Sequence, residues 1–596
     1  MLERSTLAEF GVETSPKVLA RRRAFYAVLV AASIAGLVWL AVVALSPGGF
    51  GGVDLLLVVL FAITLPWYVI GFWNATIGLL IMRFARDPVA AVTPVVARVR
   101  GDEPITTSTA ILLCVRNEPP ERVERHLAPT LEGLAAHADA GRFHVYVLSD
   151  TSEPAIAAAE DACLAALAAA WRGRIAITYR RRTVNTGFKA GNVRDFCDRW
   201  GKEHELAVML DADSVMTADA VLRLVRLMQA DPRLGILQSL VIGMPSTSAF
   251  ARIFQFGMRL GMRSYTIGSA WWQADCGPYW GHNAAVRLAP FMTHCQLPVL
   301  AEGSHVMSHD QVEAVLMRRA GYAVCVLAEE GASFEQNPPT LVEFIRRDLR
   351  WCQGNMQYWH FLRLPGLRPV SRYQLMFAIL MFLGSPAWIG MLLIGTAAVA
   401  AAPTWSDFIR ADAGLAIFVA VLVMWFAPKI ATVIDVLTRA KLRRIFGGGL
   451  RFSAGLITEV TFFLLLAPIM WASHTLFLAR LLFGRTIGWG AQARDDHEVP
   501  WSLAFRHFWP QTLIGLWPVA LLAVTVPWAI PYALFIAGGP LVSIPLAVVT
   551  ASPAVGRALV RVGLGRLPEE TAPPAELRAL ALPALELSSP SLQHVP

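Results

Sequence analysis

Two carboxylates one residue apart, Asp211 and Asp213, follow directly on the apolar run Leu206–Leu210. A pair placed there can hold Mg2+ or Mn2+, hard cations that keep open positions for phosphate oxygens. Such a cation offsets charge building up on a nucleoside-diphosphate leaving group. Asp213 could equally cap the helix that follows. Asn117-Glu118 and Asp150 stand in the same relation to two further apolar runs. Lys189-Ala190-Gly191-Asn192 opens a helix behind the basic run Arg180-Arg181-Arg182. A helix amino terminus with a lysine is an anion site, or else a surface helix start with a solvated charge. Ser308-His309-Asp310 begins an amphipathic helix and offers a carboxylate for general-base work, with His309 as a helix cap or a second candidate base. Arg347-Asp348-Leu349-Arg350-Trp351 adds two guanidinium groups and an aromatic ring. His305 and His309 share metal-ligand spacing, but no HExxH and no third ligand stand near them, which argues against zinc.

Groups of this kind need strand ends to hold them. The β-branched or apolar runs Ala110–Val115, Val145–Leu148, Ile175–Tyr179 and Ala207–Leu210 predict buried parallel strands. Helical stretches such as Glu121–Ala136 and Ala155–Ala170 separate them. This rhythm predicts a doubly wound sheet with ligands at the carboxyl ends of its strands. No GxGxxG follows a strand and no GxxxxGK[ST] occurs, so a nicotinamide enzyme and a P-loop motor lose their usual support.

The rest of the chain is membrane-like. It is 55% hydrophobic and 16% charged, where a soluble domain carries about 25% charged residues. Apolar residues gather toward both ends, leaving ordinary composition from Arg83 to Arg368. The net charge of +8 sits beside the apolar spans, at Arg21-Arg22-Arg23, Arg83, Arg86, Arg439 to Arg444, Arg557 and Arg561. That is the positive-inside pattern; nucleic acid would call for one basic face on a folded domain. All seven cysteines lie in the middle stretch, with no CxxC pair, which fits a reduced cytosolic domain. The first apolar segment lacks a cleavage site and reads as a retained helix.

These signals divide the chain into a cytosolic segment 1–23, a transmembrane hairpin 24–82, a cytosolic domain 83–371 and a second hairpin 372–436. A cytosolic or interfacial segment 437–511, a third hairpin 512–550 and a cytosolic, largely disordered tail 551–596 follow, with disorder expected from Leu567. Within 437–511 the run Phe452–Phe483 is ambiguous: basic flanks on both sides call for an even number of crossings, zero or two. Six spans are therefore firm and eight are allowed.

The ordered set Asn-Glu, Asp, Lys-Ala-Gly-Asn, Asp-x-Asp, a later Asp and Arg-Trp resembles the processive family 2 glycosyltransferases, which include cellulose, chitin and hyaluronan synthases. The resemblance implies a polytopic α-helical membrane protein with an inserted cytosolic α/β domain of the GT-A-like kind. It implies a donor site of Asn117, Glu118, Asp150, Lys189, Asn192 and Asp211, with Asp150 toward uridine and Asp211 toward the diphosphate. Asp213 would bind Mg2+ or Mn2+, Asp310 would be the general base, Arg350 would meet the diphosphate, and Trp351 would join Trp280, His282 and Asn283 around the acceptor. Arg347 stands where the family motif begins with Gln, and His309 where an acidic residue is usual. The loop Arg485–Gln511, with Arg485, Trp489, Gln492, Arg494, Asp495 and Asp496, lies where cellulose synthases have a loop that closes over the donor, and the resemblance implies that role.

The segments Val145–Ser152, Asn185–Asn192, Asp275–Asn283 and Asp348–Asn355 are similar to the glucans biosynthesis glucosyltransferase H family. That resemblance implies UDP-glucose as donor, a growing β-1,2-glucan as product, the bacterial inner membrane with its lipid as setting, and acyl carrier protein and a periplasmic glucan-processing protein as partners. Some members carry a long cytosolic amino-terminal extension, whose function is not expected of residues 1–23. The competing readings are a synthase of another β-glycan, a lipid-phosphate glycosyltransferase, and a transporter with a nucleotide-binding domain. A transporter should place ionisable residues within its spans, where Asp435, Glu459 and His474 are the few candidates.

Overall fold

The computed structural model describes residues 15–300, 303–402, 404, 408–488 and 493–581. Its helices used below are α1 (Pro16–Ala44), α2 (Gly52–Phe84), α3 (Phe188–Trp200), α4 (Ala218–Ala230), α5 (Ala249–Gln273), α6 (Asp310–Arg319), α7 (Leu341–Met356), α8 (Pro369–Ala401), α9 (Ala411–Thr438), α10 (Gly449–Leu482), α11 (Trp501–Thr525), α12 (Ile530–Leu541), α13 (Ser543–Ala551) and α14 (Ala575–Ala581). The strands are β1 (Thr109–Val115), β2 (Phe143–Ser149), β3 (Ala176–Arg181), β4 (Leu206–Asp211), β5 (Ser214–Met216), β6 (Leu234–Ser239), β7 (Ile242–Gly243), β8 (Ala284–Arg287), β9 (Ala323–Leu327) and β10 (Ser333–Glu335).

The period-2 geometry of a strand sends alternate side chains to opposite faces. Ile111, Leu113, Val145, Val147 and Val208 fill one core, while Ala110, Leu112, Tyr146, Leu148 and Met209 fill the other. Both faces are covered, so these strands read as unbroken apolar runs. The large sheet has the order β3-β2-β1-β4-β8-β6-β9, and β5, β10 and β7 form a small second sheet. The four strands expected to be parallel are parallel to one another. The sheet as a whole is mixed, however, because β8 runs antiparallel to β4 and β6. The chain leaves β6 at its carboxyl end, makes the long excursion through α5, and re-enters the sheet at that same end. A strand entering from that end must run against its neighbour.

The excursion joins the domain to the membrane helices. Ideal Cβ atoms at Gly78 of α2 and Gly268 of α5 would fall 1.8 Å from the Ser264 carbonyl oxygen and 1.9 Å from that of Asn74. Only glycine permits this approach. Trp272 then donates its indole N–H to Asn74 at 3.0 Å and stacks on Tyr26 of α1 at 4.3 Å. The arginines expected ahead of the first span lie inside α1. Arg23 binds the Gln273 carbonyl at 2.7 Å and Asp275 at 2.6 Å, because a guanidinium at this level finds the exposed carbonyls of the α5 terminus.

Among the described residues six helices are long and apolar enough to cross a membrane, namely α1, α2, α8, α9, α10 and α11, and Pro527–Leu541 with α13, bent by 51°, form a seventh span if taken as one. The ambiguous run is a single helix, α10. Near its start Phe452 packs on Phe256 of α5, and near its end His474 bonds Asp348 of α7. Both ends therefore rest on elements of the inserted domain.

The tail corrects the sequence reading, since residues 567–581 are folded. Glu570 pairs with Arg252 at 2.9 Å, Glu569 with Arg259 at 3.1 Å, and the Glu576 carboxylate accepts the Ala218 N–H at 2.9 Å. Composition hid this because three acidic side chains and Leu577 meet partners hundreds of residues away. Residues 582–596 lie outside the described residues, as do 1–14.

Gly268→Val should force α2 and α5 apart and lower the melting temperature of the purified protein by the equivalent of about 1–3 kcal/mol. Gly261→Ala, on the same helix with nothing within 4 Å of its Cβ, is the control and should cost far less.

Candidate active site

Three strand ends converge. At β4 the Asp211 N–H donates to Ser214 Oγ at 3.1 Å, forming the turn that sends Asp211 and Asp213 in different directions. Asp211 receives Lys189, whose ammonium also donates to the Gly281 carbonyl at 2.8 Å. Burial opposes the charge on Lys189, but Asp211 outweighs it and the lysine pKa is raised. This lysine is not a solvated surface charge. Left-handed backbone at Gly187 and Phe188, with φ of 75° and 53°, turns the chain into α3 and aims it inward.

Gly281, at φ 80°, lies against Asp310, with a notional Cβ only 3.2 Å from the Asp310 Cβ. The loop from Gly277 to Asn283 thus lies between Lys189 and the first residue of α6. His309 precedes that helix without capping it, and its Nδ1 stands 3.0 Å from the Glu313 carboxylate. Burial lowers the His309 pKa, yet Glu313 and Asp310 more than offset that and leave it raised. His309 thus faces Glu313, and Asp310 is the carboxylate beside the loop.

Asp150, at the end of β2, is gripped by Arg182 through two bonds of 2.7 Å. Asn117, with φ 52°, accepts the N–H groups of Ser152 and Glu153 at 2.9 and 3.2 Å and ties β1 to the β2 turn. Two expected contact residues point the wrong way. Asn192 is buried and spends its amide on Arg180 at 2.6 Å and the Leu148 carbonyl at 2.9 Å. Asn283 is buried with its amide on Ser333 at 2.8 Å and the Phe334 carbonyl at 3.2 Å. Both brace the site from behind and cannot touch a ligand. His282 lies on the Asp213 side, 3.8 Å from Glu335. Trp280 is half-buried, its N–H held by Gln238 at 2.8 Å.

On α7, Arg350 is buried and its pKa falls to about 10 through burial and the neighbouring Arg347, Arg346 and Arg494. Trp351 is 46% exposed, with the Arg347 guanidinium 4.8 Å over its ring.

The contact that sequence reasoning missed is made by Arg494. Its guanidinium bridges Asp213 and Glu118, the latter at 2.9 Å. Asp213 is therefore not a helix cap; Thr217 caps α4. Burial raises the Asp213 pKa, but Arg494 and His282 override it and hold the carboxylate ionised. Trp489 and Gln492 of the same loop lie outside the described residues. No sequence signal pairs residues 281 positions apart.

A divalent cation fits this donor set. Asp213, with Asp211 or Glu118, presents hard oxygens, and a guanidinium already occupies the place of a cation between two of them. Among the described residues no group of three or more His, Cys, Asp or Glu forms a closed cage. A cation held here would take its remaining ligands from a diphosphate and water, as Mg2+ does.

The family model described as glycosyl transferase family 2 matches residues 110–294, and that of glycosyl transferase family group 2 matches residues 206–432. Residues 110–294 thus carry a glycosyl transferase family 2 domain, set between membrane-type helices. Within that class the chain is similar to glucans biosynthesis glucosyltransferase H. It is 36% identical to that of Pseudomonas paraeruginosa over 541 residues, covering 87% of this chain and 62% of the relative. It is 35% identical to that of Klebsiella pneumoniae strain 342 over 547 residues, covering 88% and 64%. The chain thus spans less than two thirds of the length of these relatives. Among solved structures, a mannosyltransferase from Pyrobaculum calidifontis in complex with GDP-Man and Mn2+ aligns with 61% of this chain and 99% of its own at 18% identity and a TM-score of 0.36.

Asp310→Asn should lower kcat by about 10²–10⁴-fold, the usual cost of losing a general base, and leave UDP affinity nearly intact in a binding titration. Collapse of UDP affinity would instead assign Asp310 to the donor site.

Proposed function

We propose that the chain is an inverting, processive glucosyltransferase that uses UDP-glucose to build a β-1,2-glucan backbone and passes it across the bacterial inner membrane. The observation that carries this reading is the meeting of Lys189, Asp211 and Asp310 around the Gly281 loop, with the cationic face of α7 alongside. In this reading Asp310 takes the proton of an acceptor hydroxyl as its oxygen attacks the anomeric carbon. The bond to UDP breaks from the opposite face, so an α-linked donor yields a β-linked product. Arg350 and Lys189 bind the departing diphosphate. Asp213 and Asp211 would hold a Mg2+ or Mn2+, which would supply Lewis-acid neutralisation of its charge. The exposed face of Trp351 stacks the acceptor sugar.

Translocation draws support from a cavity of about 250 Å³ within the helix bundle, lined by Trp67, Tyr68, Phe254, Phe377, Trp425 and Phe463. Aromatic faces suit pyranose rings, and Phe254 packs on Phe344 of α7 at 4.6 Å, next to the acceptor helix. The topology draws support from charge. Arg23 and Arg439 bind the domain side of the bundle, at the Gln273 and Met82 carbonyls, which under the positive-inside rule supports a cytoplasmic catalytic domain. The docking of Arg494, Asp495 and Asp496 onto the domain supports a loop that closes over the donor. Acyl carrier protein and a periplasmic glucan-processing protein are proposed as partners from the likeness to the H family.

Purified protein in proteoliposomes, given labelled UDP-glucose and Mg2+, should form a polymer whose linkage analysis returns β-1,2 bonds. A glucosyl-lipid alone, another linkage, or no transfer would overturn the proposal.

A further inference from the structure

We propose that Arg494 is a resident counter-cation of Asp213 and Glu118, competing with free divalent metal so that metal enters the site only together with a nucleoside diphosphate. The nucleotide part rests on the function proposed above; the competition rests on geometry alone. The Arg494 side chain is almost wholly enclosed, and it donates Nε to Glu118 at 2.9 Å and Nη1 to Asp213. Four contacts seat the loop around it. Asp495 pairs with Arg122, Asp496 accepts from Thr247 at 2.5 Å, Gln336 donates to the Arg494 carbonyl at 3.2 Å, and the Ile487 N–H donates to Gln353 at 2.7 Å. The guanidinium is thus held by its surroundings and has not merely drifted onto an acidic pair.

The charges then decide what can share the site. Two carboxylates face one guanidinium, and the field of Arg347 and His282 also reaches Asp213. A bare divalent cation arriving here meets carboxylates already partly neutralised and like charge at contact distance, where Coulomb repulsion is strong. It must expel Arg494 from the two carboxylates that hold it. A metal carried on a diphosphate changes the balance, because the diphosphate brings oxygens that a displaced guanidinium can bind bidentately. Exchange of one cation for another is then close to neutral, and the loop moves only when donor is present.

The test measures Mn2+ binding by electron paramagnetic resonance on the full-length protein in nanodiscs, without sugar nucleotide. Wild type should bind Mn2+ weakly, and Arg494→Gln should bind it about tenfold or more tightly, within the usual range of a coupling between two sites. Adding Asp213→Asn to that variant should remove the gain, which locates it. Arg122→Gln loosens the loop from outside the carboxylate pair and should give a smaller gain of the same sign, even if Arg494→Gln folds poorly. UDP should tighten Mn2+ binding more in wild type than in Arg494→Gln. Unchanged or weaker Mn2+ affinity in Arg494→Gln and Arg122→Gln, or a gain that survives Asp213→Asn, would overturn the proposal. Polymer synthesis with no such gain would overturn this inference alone; the gain without polymer from UDP-glucose would overturn the glucosyltransferase reading and leave the exchange standing.

Discussion

A carboxylate taken out of water must be given a counter-charge, since the cost of burying it unpaired exceeds most single contributions to stability. Three of the acidic side chains at the ends of this chain's central strands each bind a cation. Asp150 has Arg182, Asp211 has Lys189, and Asp213 has Arg494. The three cations come from the turn after β3, the start of α3 and the loop before α11. Satisfying the carboxylates therefore dictates how those segments fold, and draws a loop between two membrane-type helices onto the face of a distant sheet. The cations are also the groups that a diphosphate would compete for, so the same pairs that stabilise the apo site make it receptive to an anion.

The second constraint is the shared ownership of α5. By sequence it belongs to the inserted domain, yet its contacts with α2 pass through Gly78 and Gly268 at backbone distance. From the other side, α7 carries Arg350 and Trp351 while its Asp348 bonds His474, which bonds Ser385 of α8 at 2.9 Å. Catalytic domain and bundle are joined at two separate helices. A movement of α7 on binding donor would be felt by α8 and α10 directly.

The parts legible in the sequence were those governed by local periodicity. The four parallel strands, the carboxylates at their ends and most of the long apolar helices follow from runs of a few residues and a fold rule. What escaped depended on direction or distance. Asn192 and Asn283 sit in the segments that carry the family likeness, but spacing does not say whether a side chain faces the ligand or the core. The antiparallel course of β8 depends on where a 25-residue helix sends the chain back. Arg494 was visible as a basic loop residue, and its partners were not, because a salt bridge across hundreds of residues leaves no local pattern. The tail failed for the same reason, its few acidic anchors being meaningful only beside Arg252, Arg259 and the start of α4.

That tail has a bearing on the order in which the protein becomes competent. Leu577 belongs to the small apolar cluster of Val215, Ile242, Met244 and Phe334, which backs the sheet beginning one residue after Asp213. The wall behind that carboxylate is therefore finished by a residue synthesised after every membrane-type helix among the described residues. A nascent chain that has made the whole catalytic domain but not yet the bundle lacks this last support. A site whose wall takes its last residue from so late in the chain is completed only once these helices have been made.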